Sequence, residues 1–173
     1  MKRTLLTLAA LLLGPPSGLR ADDARTFIST GSAPGASLAA ASANGTTYAA
    51  TRSRTSGGLL PLTEAVGFAT GPSGSFLSSS FGFRTADQRI QAHTFSLGIG
   101  PKGSSFSNGW AESADPDTHR AQAGGVVGVG PKGLIGSAQA GGQSGPLGRV
   151  NTSTSAQTGP SLPRAILNVP LIR

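Results

Sequence analysis

From Ile90 to Ile99 the chain reads IQAHTFSLGI, and Phe95, Leu97 and Ile99 alternate with Thr94, Ser96 and Gly98. A period of two marks a strand whose two faces meet different surroundings. Stretches of similar length recur as SFLSSSFGFR, SSFSNGWAES, AQAGGVVGV, LIGSAQAG and VNTSTSAQT. A helix over these windows is disfavoured, because each glycine costs up to about 1 kcal/mol relative to alanine and no convincing caps bound them.

Turn residues separate these stretches at regular intervals. The Gly-Pro pairs Gly71-Pro72, Gly100-Pro101, Gly130-Pro131 and Gly159-Pro160 follow one another at steps of 29, 30 and 29 residues. Between them lies a second kind of turn, closed by arginine: TADQR ending at Arg89, ADPDTHR at Arg120 and GQSGPLGR at Arg149. Two turns per interval leave two strands per interval. The predicted fold class is therefore all-β: a repetitive antiparallel up-and-down meander of about eight to ten short strands, with a hairpin repeat of about 30 residues. The repeats are clearest over 71–160, and closure of the sheet is left open.

The hairpin turns are assigned to Pro72 with Gly74, Pro101 with Gly103, and Pro131 with Gly133. Proline presets φ at the first turn position, and glycine accepts the positive φ that other residues resist. A three-residue loop of this kind pairs Gly100 with Ser104. Leu97 then faces Ser107 and Phe95 faces Gly109, and around Pro72 the same rule sets Phe68 against Ser78. Bulky residues meet small ones in this register.

Two of these turns sit inside G-x-G-x-x-G, at Gly98 and Gly128, the spacing of a dinucleotide-binding loop. Such a loop needs a helix that begins within the motif and points its amides at the pyrophosphate. SSFSNGW and LIGSAQAGG follow instead, and neither copy has a suitable acid about twenty residues on. Hairpin turns account for the glycines, and no cofactor is expected.

The chain opens MKRTLLTLAALLLGPPSGLRA, a charged start, a short apolar run and a small residue at Ala21. That order predicts a signal peptide over 1–21 and a single Gly/Ala/Ser-rich β domain over 22–173. Ten or so apolar residues are too few to span a bilayer as a helix, and no transmembrane helix is expected after processing. The expected location is secreted or extracytoplasmic: periplasm, cell surface or extracellular space. Loss of Lys2, Arg3 and Arg20, with no acid, takes the formal charge from +7 to +4. The remaining arginines are scattered singly, without the basic patch and interleaved aromatics of nucleic-acid binding, so no nucleic-acid partner is expected. With no cysteine in the chain, neither a disulfide nor a thiolate metal site can support the fold.

Candidate chemistry is sparse. His93 is in phase with Phe95 and Leu97 and reads as a partly buried or rim residue. Asp115, Asp117 and His119 could gather around a cation, but Asp-Pro-Asp-Thr more simply makes a turn whose carboxylates accept local amide hydrogens. Glu64 and Glu112, the only glutamates, read as solvent-facing strand residues. No nucleophile elbow or His–acid pair beside a serine is present, so the chain is not expected to be an enzyme. Phe106, Asn108 and Trp110 fall on one strand face and are the candidate platform for a ligand. The leading expectation is an exported, non-enzymatic structural protein of the cell envelope or extracellular matrix, self-assembling through unguarded strand edges. Its partners are then further copies of itself or envelope and matrix components. The alternatives are an extracellular ligand- or carbohydrate-binding β module and a small outer-membrane barrel.

Overall fold

The computed structural model describes residues 22–32, 37–56, 62–85, 87–114, 119–144 and 148–159. The expected signal peptide, Asp115, Asp117 and Pro160 lie outside the described residues. Among the described residues the regular structure is all strand: β1 (Asp23–Gly31), β2 (Leu38–Asn44), β3 (Tyr48–Ser56), β4 (Leu62–Gly71), β5 (Gly74–Arg84), β6 (Ile90–Gly100), β7 (Gly103–Ala114), β8 (Arg120–Gly130), β9 (Gly133–Gln143) and β10 (Arg149–Gly159). No helix there is long and apolar enough to cross a membrane.

The strands form two antiparallel sheets, β2-β1-β8-β9 and β10-β7-β6-β5-β4-β3, and no closed barrel. From β3 to β7 the chain is an uninterrupted meander. It then departs from consecutive order, because β8 pairs with β1 and β9 in the smaller sheet while β10 returns beside β7. At the two margins β2 packs beside β3 and β9 beside β10.

The register differs from the one expected. Gly71 pairs with Gly74, Gly100 with Gly103 and Gly130 with Gly133, so each proline and its follower alone make a two-residue turn. The glycines at φ +137°, +120° and +125° open the returning strands and do not sit inside the loops. This one-residue difference exchanges every cross-strand neighbour. Leu97 lies opposite Phe106, not Ser107, and Phe68 opposite Leu77, not Ser78. Most large side chains of the six-stranded sheet therefore gather on one face, and small ones, with Phe76 and Ile90, on the other.

The small face is the one turned inward. Ile28, Ile90 and five alanines, Ala65, Ala92, Ala111, Ala121 and Ala123, form one buried cluster, and Ala24, Ala69, Phe76, Val127 and Leu134 form a second. A belt of hydroxyls lies in register between them. Thr26 shares hydrogen bonds with Ser78 (2.8 Å) and Ser80 (2.7 Å), Ser78 with Ser96 (2.9 Å), and Ser80 donates to Thr94 (2.8 Å). Ser78 also donates to the Gly125 carbonyl (3.0 Å), and Thr94 to that of Ser79 (3.1 Å). Each hydroxyl has one proton, and those of Ser78 and Ser80 are committed elsewhere, so Thr26 donates to one of them at a time. Gly125 is required here, since a Cβ would lie 2.8 Å from the Thr94 hydroxyl and 2.9 Å from that of Ser78.

At the start of β1, Asp22 adopts φ +68° and accepts hydrogen bonds from the Thr46 amide (2.6 Å) and hydroxyl (2.8 Å). Burial alone raises its pKa, but these donors and Ser73 outweigh it and hold the carboxyl below the ordinary aspartate value. The contact ties β1 to the β2–β3 connection.

Candidate interaction face

Alternation along β4 to β7 turns every second side chain away from the smaller sheet. The cross-strand pairs place these side chains in rows. One row runs Ala50, Phe68, Leu77, Leu97, Phe106, Gln157 from β3 to β10. The next runs Arg52, Val66, Ser79, Phe95, Asn108, Ser155, and a third Arg54, Glu64, Phe81, His93, Trp110, Ser153. Of the seven phenylalanines only Phe27 and Phe76 lie elsewhere, and the single tryptophan and single tyrosine are also on this face. Its flanks are polar: Arg52 and Arg54 on β3, and asparagine, serine and glutamine on β10.

The face is open. Phe81 is 37% exposed, Ile99 45% and Tyr48 57%, while Phe68, Leu77, Phe95, Leu97, Phe106 and Trp110 are half-buried by their neighbours alone. By contrast Ser78, Ser80, Ser96, Ser105 and Ser107 on the inner side are fully buried.

Two groups of rings organise the surface. Tyr48 tilts against Phe68 with centroids 6.3 Å apart. His93 stacks on Phe81 at 5.0 Å and on Phe83 at 5.9 Å, with interplanar angles of 11° and 4°. Phe81 and Phe83 are themselves near-parallel at 6.4 Å, so the three rings form a compact triangle with His93 beside both phenylalanines. At one corner of the triangle the Gln91 carbonyl oxygen lies 3.3 Å from His93 Nε2, and the Gln91 amide donates to Glu112 (2.8 Å). Arg89 also donates to Glu112 (3.2 Å). Burial holds the His93 imidazole below its ordinary pKa, which favours the neutral ring.

The structure places the candidate platform residues Phe106, Asn108 and Trp110 together on this face, with Asn108 accepting a hydrogen bond from Ser155. They form one strand of a broader surface, which also includes Phe68, Leu77, Phe81, His93, Phe95 and Leu97. The period-two pattern contained that signal, but only the two-residue turns bring its apolar phases to a common side. Glu112 departs from a simple solvent-facing role, because Arg89 and Gln91 engage it. His119 is 94% buried and donates through Nε2 to the Gln88 carbonyl (2.7 Å). Among the described residues no three His, Asp or Glu side chains are grouped to hold a metal. Beside the Gly-Pro turns, Pro72, Pro101, Lys102, Val129 and Leu134 line a hollow of about 230 Å³, below the roughly 300 Å³ at which small-molecule pockets begin. No family model matches the sequence, and comparison with curated proteins and with solved structures finds no match.

Proposed function

We propose that the chain is an exported, non-catalytic structural protein that works by self-association, with the outer face of the six-stranded sheet as its contact surface and a second copy as its partner. The observation that carries this reading is the skewed distribution of side chains: most of the aromatic rings point outward from the six-stranded sheet, while alanine, glycine and hydroxyls make up much of an interior whose bulky members are few, chiefly Ile28, Phe76, Ile90 and Val127. Water opposes such an arrangement at about 25 cal/mol per Å² of apolar surface left exposed. Six strands about 4.8 Å apart and about ten residues long present roughly 900 Å², of which the four central strands that carry the apolar rows make up roughly 600 Å², at the top of the range for an ordinary monomer patch. The whole face is close to the roughly 800 Å² per partner of a stable protein interface. The strand edges are a poorer surface, since β2 lies against β3 and β9 against β10.

Two rival functions draw less support. A sugar platform needs open ring faces beside a free polar group, whereas Phe106 and Trp110 are half-buried and Asn108 accepts a hydrogen bond from Ser155. A lipid-embedded barrel needs an apolar outward side on every strand. The outward side of the smaller sheet is mixed instead: the Asp23–Arg25 ion pair at 2.5 Å, Gln122 and Gln139 stand among Phe27, Val126 and Ile135.

Sedimentation velocity over a concentration series tests the reading. The chain should pass from monomer to dimer, and Leu97→Glu, in the middle of the face, should raise the dimer Kd at least a hundredfold with an unchanged circular-dichroism spectrum. A chain that stays monomeric to millimolar concentration, or that enters lipid vesicles without dimerising, overturns it.

A further inference from the structure

We propose that His93 gates this association by pH: proton uptake on the imidazole packed beside Phe81 and Phe83 places a cation in the middle of the contact face and separates the two copies. The inference rests on the self-association reading and adds its regulation.

The geometry supplies each step. The Gln91 amide group donates to Glu112, which leaves the Gln91 carbonyl oxygen to accept from His93 Nε2–H. Nδ1 is therefore the nitrogen that takes up the proton. In the single copy its charge is tolerable, because the ring edge reaches water and the phenylalanine faces attract a cation weakly. A second sheet laid over the face removes that water and supplies a largely apolar surface in its place.

The neighbouring charges do not neutralise it. On β4, Glu64 stands opposite Phe81 and pairs with Arg52 of β3 at 3.9 Å. On β7, Glu112 is engaged by Arg89 and Gln91. Arg54 on β3 adds a second positive charge in the same row as His93. On β5 the contacts are the two phenylalanine rings.

The sign follows from linkage. Burial already favours the neutral ring in the single copy and favours it further in the pair. Association is fully present above the His93 pKa of the single copy, which lies below the ordinary value of about 6.5, and weakens as pH falls through it. Each copy takes up one proton on separating, so well below that pKa the Kd rises by up to about a hundredfold per pH unit.

Sedimentation velocity of the full chain from pH 7.5 to 4.5 at constant ionic strength is the test, with His93→Phe and His93→Gln alongside. The wild-type dimer should dissociate as pH falls, while in each variant the Kd, whatever its value at pH 7.5, should stay constant to within about threefold across the range. Either variant alone suffices if the other fails to fold. Variants that dissociate with the wild-type pH profile overturn the gate and leave the interface standing. A wild-type chain monomeric already at pH 7.5 overturns the interface and the gate together, and a wild-type dimer indifferent to pH overturns the gate alone.

Discussion

The two sides of β5 and β6 are made by the same strands, yet one carries Phe81, Phe83, Phe95 and Leu97 and the other Ser78, Ser80, Thr94 and Ser96. In a water-exposed sheet the aromatic side is the one normally covered. Here the serine side is covered, because hydroxyls, alanines and glycines let a second sheet approach closely and exchange hydrogen bonds with it. The aromatic side is left as a surface. The difference teaches that burial in this molecule follows fit between the sheets as well as side-chain hydrophobicity.

The sharpest way to break that comparison is to enlarge the inner side. Gly125→Val should destabilise the fold by about 3 kcal/mol in urea titration, because its side chain displaces the hydroxyl belt and overpacks a site with no slack. A loss below about 1 kcal/mol would mean that the sheets are not held together there. The turns that align the two faces come next. Gly74→Val meets both a positive φ and the Ile99 carbonyl, and should cost about 2 kcal/mol; Gly133→Val meets only the positive φ, with nothing within 4 Å, and should cost about 1 kcal/mol. Thermal melts that rank the two in reverse would remove backbone crowding as the reason. The outer side should yield least. Ile99→Ser, at a side chain 45% exposed, should change the unfolding free energy of the monomer by about 0.5 kcal/mol or less in dilute urea titrations.

Much of the architecture was legible. The alternation in Ile90–Ile99 marks β6, and proline followed two residues later by glycine marks the β4–β5, β6–β7 and β8–β9 turns, because those residue types meet backbone requirements that are local. The candidate face was legible only in part. Phe106, Asn108 and Trp110 could be grouped because they share one strand, whereas Phe68, Leu77 and Leu97 join Phe106 only through cross-strand pairing. A turn shorter by one residue than the expected loop was enough to hide that row.

What the sequence by itself determined is local: strands, turn positions and the existence of two unlike faces on each strand, since φ preferences and side-chain alternation act within a few residues. Tertiary structure decided the rest. The pairing of β8 with β1, the return of β10 to β7, and the choice of the serine side as the interior depend on segments far apart in the chain. Those choices are made only when Thr26 of β1 and Gly125 of β8 meet Ser78 and Ser80 of β5 across the sandwich. Period two says that a strand has two faces; only the second sheet decides which one is covered.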